Sequence, residues 1–192
     1  LEAQRISKRI ANALKRDGIA PKAKFAVYSQ NKIEACLCAI GALRAGCVWA
    51  TFDTADSANV ITDVLTKMDV EALFYSYAYE EPLEKVRSET ELRTCVCIDG
   101  SGSQSLESWL GDVSDECEDF EYSPTDLFTL FSSGGTSGAP KGVMASHHAW
   151  ELAMAGQLGV AATDVFVSSL SMPISHAAGG SGLLYGMATG VT

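Results

Sequence analysis

The sequence predicts an α/β fold in which mostly parallel, doubly wound sheets are flanked by helices. Short apolar runs with strand character alternate with segments of helical period from the first residues to Ile98. Strands that alternate with helices of this length are joined by right-handed crossovers, which makes them parallel. In addition, 47% of the 192 residues are hydrophobic, so the chain can bury a sizeable core.

The predicted elements follow one another in a regular cycle. The first is an amphipathic helix in which Ile6, Ile10 and Leu14 lie on one face, and Gly18 marks its end. Strands are predicted at residues 25–28, 47–51, 72–75 and 94–98, with helices at 33–46, 59–68 and 80–88.

The cycle stops after Asp99, where a Gly/Ser stretch precedes an acidic segment that we interpret as a solvated surface connection. We therefore divide the chain into a first α/β lobe (residues 1–111), an acidic connection (112–126) and a remaining part (127–192). For that last part the sequence predicts strands at 127–131 and 165–170, a helix at 148–158 and an apolar segment from Gly182.

The charge distribution argues against two classes of partner. The formal net charge is −10, whereas nucleic-acid backbones and anionic membrane surfaces select for clustered Lys and Arg. Of the 14 basic residues, all but one lie between Arg5 and Arg93, and the exception is Lys141. The sequence has no leader pattern and no apolar run long enough to span a bilayer, so we expect a cytoplasmic protein without a membrane span.

The six cysteines have neither disulfide-framework nor zinc-site spacing. Cys36 and Cys38 fall in a helical pattern, Cys95 and Cys97 in a strand pattern, and the other two are isolated. A zinc site usually needs paired Cys-x-x-Cys elements. We expect six reduced thiols that pack as small hydrophobic side chains, and no structural zinc.

The segment from Ser132 to Lys141 has the composition of a phosphate-binding loop. It combines glycines, small hydroxyl residues and one lysine directly after a buried-type strand. Glycine lets backbone amides approach an anion closely, hydroxyl groups donate hydrogen bonds to phosphate oxygens, and lysine supplies a compact positive charge. A flexible linker would need neither the rigid Pro140-Lys141 pair nor the apolar strand that leads in.

Two common phosphate-binding patterns do not match this segment. A Walker loop requires Gly-Lys-Ser/Thr, whereas Lys141 lies between Pro140 and Gly142. The dinucleotide fingerprint Gly-x-Gly-x-x-Gly also fails, because the glycines stand at 134, 135 and 138 and occur late in the chain. An ordinary P-loop kinase or GTPase is therefore disfavoured.

The segment does resemble the phosphate-binding signature of the adenylate-forming superfamily, Thr-Ser-Gly-Thr-Thr-Gly-x-Pro-Lys-Gly-Val. The matching residues, in register, are Ser133-Gly134-Gly135-Thr136-Ser137-Gly138-Ala139-Pro140-Lys141-Gly142-Val143. Gly134 stands where the family usually has Ser. The family's downstream Ser/Thr-His pair falls on Ser146-His147.

Two further segments are similar to this superfamily. Residues 43–53 resemble its Leu-Lys-Ala-Gly-x-x-x-x-Pro-x-Asp segment, with Thr51 in place of proline. Residues 173–180 resemble its Pro-Leu-x-His-x-x-Gly motif, which implies that His176, Gly179 and Gly180 help to wall an acyl pocket. The resemblance covers nearly the whole chain and implies part of the large N-terminal domain of acetyl-CoA synthetase-like enzymes.

The resemblance implies an AMP-forming acyl-CoA ligase that uses ATP, Mg²⁺ and coenzyme A to activate a carboxylic acid. It implies phosphate contacts from seven residues, with no catalytic residue and no metal ligand assigned: Ser133, Gly134, Gly135, Thr136, Ser137, Gly138 and Lys141. The family's Tyr-Gly-x-Thr-Glu motif, its ribose-binding Asp and its small C-terminal domain with the catalytic Lys are expected beyond position 192. We therefore interpret the sequence as an N-terminal part that is inactive by itself.

Two alternatives remain open at this point. The first is a non-catalytic or degenerate nucleotide-binding lobe, since half of the signature motifs are absent. The second is an amino-acid-activating adenylation domain, which typically has an Asp in its pocket segment to capture the substrate's amino group. Residues 173–180 contain no acidic residue, so the second alternative is the weaker one.

Overall fold

The computed structural model describes residues 2–133, 141–158 and 171–189. The strands are β1 (Lys24–Tyr28), β2 (Val48–Thr51), β3 (Val70–Tyr75), β4 (Thr94–Cys97), β5 (Leu127–Ser133) and β6 (Lys141–Ser146). The helices are α1 (Glu2–Arg16), α2 (Ile33–Arg44), α3 (Ala58–Lys67), α4 (Glu80–Glu89), α5 (Leu106–Leu110), α6 (His147–Leu158) and α7 (Ala177–Thr189), with a 3₁₀ turn at Tyr77–Tyr79.

The strands form one six-stranded sheet in the order β4-β3-β1-β2-β5-β6. Every neighbouring pair is parallel except the last, in which β6 runs antiparallel to β5. The predicted class, a mostly parallel α/β sheet, is confirmed. Strands on both sides of the acidic connection belong to this sheet, and the division of the chain into a first lobe, an acidic connection and a remaining part stays a prediction.

Helices cover both faces of the sheet, which explains why the central strands are apolar throughout. On one face α1, α2 and α5 pack over Phe25 and Trp49, whose rings stack at 5.8 Å. On the other face α3 and α4 pack over Tyr28 and Phe52, whose ring centroids are 5.5 Å apart. Alternate side chains of each strand therefore enter two separate cores.

Helix α5, strand β6, the 3₁₀ turn at Tyr77–Tyr79 and the helical form of α7 were not predicted from the sequence. Helix α5 is too short for its period to be recognised, but Ser105 accepts a hydrogen bond from the Ser108 amide at 3.2 Å and caps its first turn. For strand β6 the sequence indicates no element beyond the loop that ends at Lys141. The predicted strand at 165–170 lies outside the described residues.

The acidic connection lies across α1 and α2 and is bound to them through its backbone. Its carboxylates are mostly exposed, as predicted. However, the Asn12 amide donates to the carbonyl oxygens of Ser114 and Glu116, both at 2.8 Å. At its far end the Phe120 amide donates to the Arg44 carbonyl at 3.1 Å. The connection is therefore part of the packed structure, not a free loop.

All six cysteines carry free thiols, and Cys38, Cys47 and Cys97 are buried. Burial raises the pKa of the Cys47 thiol to about 12, with the Glu71 carboxylate acting in the same direction. A thiol that stays protonated is a poor nucleophile and metal ligand. No helix within the described ranges has the length and apolar character needed to cross a membrane.

Two glycines with positive φ provide a test of how the acidic connection packs. Gly46 has φ +88°, and a Cβ there would lie 2.7 Å from Cγ of Phe120, whereas Gly18 has φ +78° and open space around it. We expect Gly18→Ala to lower the free energy of unfolding by about 1 kcal/mol, from backbone strain. Gly46→Ala should lower it by about 2–4 kcal/mol, because overpacking adds to the same strain.

Urea denaturation of both variants would measure the difference. Equal losses would mean that Phe120 does not pack against Gly46 in solution.

Candidate functional site

The candidate site lies where β5 ends and β6 begins, because these two strand ends are paired. Ser133, the last residue of β5, pairs with Lys141, the first residue of β6, and Ser132 pairs with Gly142. On its other side β5 is parallel to β2, with Phe131 opposite Thr51. The paired ends therefore lie at the carboxyl edge of the parallel strands, which is where ligands of open α/β sheets bind.

The structure locates two of the seven predicted phosphate-binding residues. Gly134, Gly135, Thr136, Ser137 and Gly138 lie outside the described residues, and their role stays a prediction. The expectation of a loop over the whole segment from Ser132 to Lys141 is wrong at both ends, because Ser132, Ser133 and Lys141 belong to paired strands. The run Lys-Gly-Val-Met-Ala-Ser has little strand signal, and pairing with β5 supplies the stabilisation that its own residues do not indicate.

Helix α6 follows β6 directly and holds the C-terminal end of that strand. The Ser146 hydroxyl accepts a hydrogen bond from the Ala149 amide at 3.3 Å and so caps the helix. The His147 ring lies 3.7 Å from the Tyr122 ring and 4.9 Å from the Phe128 ring, measured between centroids. Burial lowers the pKa of His147, although nearby carboxylates oppose the shift. Ser146 therefore caps α6, and the His147 ring packs against two aromatic rings at the C-terminal end of β6.

A second polar cluster lies at the same carboxyl edge and was not predicted from the sequence. The Asp99 carboxylate follows β4 and accepts hydrogen bonds from the Ser76 hydroxyl and the Tyr77 amide, both at 2.7 Å. It also forms a salt bridge with Lys32, in the loop between β1 and α2. Burial alone would raise the pKa of Asp99, but these three donors outweigh it and lower the pKa to about 2.

This cluster joins the ends of three neighbouring strands. Polar residues directly after β1, β3 and β4 were the available sequence signal, since the carboxyl ends of parallel strands meet at one edge. The salt bridge and hydrogen bonds of Asp99 link these strand ends to one another. Within the described ranges no three His, Cys, Asp or Glu side chains come together as metal ligands.

The predicted acyl-pocket residues lie at the start of α7. His176 is exposed, and its Nδ1 accepts a hydrogen bond from the Ala178 amide at 3.3 Å. Gly179 and Gly180 are buried, and both allow close packing. A Cβ on Gly179 would lie 2.0 Å from the carbonyl oxygen of Pro173, and one on Gly180 would lie 3.3 Å from the Trp49 ring. The structure thus brings the three residues together, and their contact with an acyl group stays a prediction.

Comparison with known proteins identifies similar sequences along nearly the whole chain. The family model described as "AMP-binding enzyme" matches residues 2–192. A benzoate–CoA ligase of Thauera aromatica is 29% identical over 184 residues, which are 91% of this chain and 34% of that protein. A 3-oxocholest-4-en-26-oate–CoA ligase of Rhodococcus rhodochrous is 29% identical over 148 residues, which are 72% of this chain and 26% of the relative. The chain thus spans about a third or less of these curated relatives.

Solved structures share the fold. A fatty acyl CoA synthetase of Mycobacterium tuberculosis superposes with a TM-score of 0.84 at 21% identity, covering 100% of this chain and 38% of that one. A long-chain-fatty-acid-CoA ligase of Archaeoglobus fulgidus superposes with a TM-score of 0.85 at 22% identity, covering 100% and 38%. At these identities the similarity shows the fold.

The close approach of α7 to the Pro173 turn gives a testable contrast between two glycines of one helix. Gly179→Ala should lower the free energy of unfolding by more than about 2 kcal/mol, because the new methyl group meets a backbone carbonyl that cannot move aside. Gly186→Ala meets nothing within 4 Å and should raise it by about 0.5–1 kcal/mol through helix propensity.

Chemical denaturation of the two variants is the measurement. If Gly179→Ala is as stable as Gly186→Ala, the helix does not pack on the turn as described.

Proposed function

The chain belongs to the AMP-binding enzyme family, and from this premise we propose that the complete protein activates a carboxylic acid with ATP and transfers the acyl group to coenzyme A. One observation carries the proposal. The in-register match to the phosphate-binding signature spans residues 133–143, and two of its residues, Ser133 and Lys141, are paired strand residues at the carboxyl edge of the sheet.

The first proposed step forms an acyl-adenylate. A carboxylate oxygen attacks the α-phosphorus of ATP, the bond to the β-phosphate oxygen breaks, and pyrophosphate leaves. Because one anion must approach another, positioning and charge neutralisation provide most of the catalysis. We assign the β- and γ-phosphate contacts to Gly135, Thr136, Ser137, Gly138 and Lys141.

No other basic residue in this part of the sequence can replace the positive charge of Lys141. No other Lys or Arg occurs from residue 94 to residue 192, and the loop's other donors are neutral. A charge pair near a protein surface contributes at most about 4 kcal/mol before screening, so backbone amides must share the work. Mg²⁺ is expected to accompany ATP, and among the described residues no three His, Cys, Asp or Glu side chains come together to hold it.

In the second proposed step the CoA thiol attacks the acyl carbon, and AMP leaves with one of the former carboxylate oxygens. The relatives' names mention an aromatic acid and a sterol-derived acid, which supports acyl-CoA formation over amino-acid activation. Residues 173–180 contain no acidic side chain to capture an amino group. We also propose a cytoplasmic location, where ATP and CoA are available.

Acid-dependent exchange of labelled pyrophosphate into ATP tests the proposal on the complete protein. We expect exchange with at least one member of a panel of aromatic, fatty and sterol-derived acids, and CoA thioester once CoA is added. Exchange with amino acids would favour the adenylation-domain alternative. ATP binding without any exchange would favour a non-catalytic nucleotide-binding protein.

Replacement of Lys141 tests the assigned phosphate site. Lys141→Ala in the complete protein should weaken transition-state binding by about 1.5–3 kcal/mol, the range for a hydrogen bond to a charged group, which is roughly a 10- to 100-fold loss in kcat/KM for ATP. Lys141→Arg should recover part of the loss, because a planar guanidinium does not reproduce a compact ammonium group.

The matched control is Lys67→Ala, which removes an exposed lysine of α3 whose Nζ lies 3.7 Å from Asp63. Thermal melting of the same samples separates binding from folding. Unchanged ATP dependence in Lys141→Ala, or a loss explained by unfolding, would remove Lys141 from the phosphate site.

A further inference from the structure

Asn31, in the loop between β1 and α2, holds a segment that lies far away in the sequence. Its Nδ2 donates a hydrogen bond to the Met172 carbonyl at 2.9 Å, and its Oδ1 accepts one from the Ile174 amide at 2.7 Å. One side-chain amide thus bonds to two backbone groups, one on each side of Pro173. This is the pattern with which a neighbouring strand residue would pair.

The held segment has little freedom to move in other directions. The Ile174 side chain is fully buried and joins the core on the α1 and α2 face. The carbonyl oxygen of Pro173 accepts a hydrogen bond from the His176 amide at 2.9 Å, which closes a turn. His176 follows Ile174 by two residues, so at most about 7 Å of chain separates the held amide from the predicted wall of the acyl pocket.

The support for Asn31 is itself rigid. Lys32, the next residue, forms the salt bridge with Asp99, and Asp99 is bonded in turn to Ser76 and Tyr77 after β3. Ser29, two residues before Asn31, is fully buried. The edge of the parallel sheet therefore positions the Asn31 amide. Through its two hydrogen bonds this amide in turn positions the segment from Met172 to Ile174.

We propose that Asn31 is a positioning residue that fixes the wall carrying His176 and thereby sets the affinity for the carboxylic acid. This role rests on the proposed function. Asn31 lies on the loop after β1, whereas the assigned ATP contacts lie between β5 and β6. The effect therefore falls on the acid and not on ATP.

The experiment compares Asn31→Ala, Asn31→Asp and the neighbouring control Gln30→Ala in the complete protein. Gln30 is exposed in the same loop. Asn31→Ala should raise KM for the acid roughly tenfold and leave KM for ATP within about twofold, because a misplacement of about 1 Å in a positioning group can cost up to about 100-fold. Asn31→Asp keeps the acceptor for the Ile174 amide and loses the donor to Met172, so its effect should be intermediate. Gln30→Ala should match the wild type.

Amide hydrogen exchange at Ile174 gives a second readout that does not depend on catalysis. We expect exchange to accelerate roughly tenfold in Asn31→Ala, since the amide loses its acceptor, with unchanged exchange in Gln30→Ala. Unchanged exchange in Asn31→Ala, equal rises in the two KM values, or an equal effect of Gln30→Ala would overturn the proposal.

Failure of the inference and failure of the proposed function give different results. A wild-type protein without acid-dependent pyrophosphate exchange would overturn the function and, with it, the acid-binding role of Asn31. An active wild type whose Asn31→Ala variant keeps its KM for the acid would overturn the inference and leave the function standing.

Discussion

The geometry of the candidate site depends on the two-sided pairing of β5. One edge of this strand is parallel to β2, which ties it to the sheet, and the other edge is antiparallel to β6. Because both edges are bonded, the last residue, Ser133, has a fixed position, and Lys141 is held opposite it. The register of this pairing therefore determines how Ser133 and Lys141 lie relative to each other.

The basic residues of the first part of the chain differ in their contacts from what is proposed for Lys141. In the first part of the chain several cations are engaged by the fold: Lys22 pairs with Asp126 at 2.8 Å and Lys24 with Asp69 at 3.0 Å, while Arg16 donates to the Trp109 carbonyl at 2.9 Å. These contacts are partly exposed and individually weak, but together they attach the acidic connection and the strand ends. Lys141 is the one basic residue between positions 94 and 192. This isolation in the sequence agrees with the phosphate contact that we propose for it.

The sequence was sufficient for the parallel part of the fold and insufficient for the last strand. Helix α1 and strands β1 to β4 show clear periods and turn signals, because each buries a continuous apolar face. Strand β6 consists mainly of small and exposed residues, with Met144 exposed at 74%, and it forms through pairing with β5. The role of Asn31 could not be predicted either, since it acts on a segment that only the folded chain brings near. The motif residues were recognised from resemblance, and the physical reading of a phosphate loop agreed with it.

The proposed function requires that the carboxylate of the acid attacks the α-phosphorus of ATP. The most direct measurement uses an acid substrate labelled with ¹⁸O in its carboxylate, incubated with the complete protein, ATP and CoA, followed by mass spectrometry of the products. The account predicts one ¹⁸O atom in AMP and none in pyrophosphate, because the carboxylate oxygen that attacks stays with the α-phosphate. Formation of ADP, with the label in inorganic phosphate, would contradict it.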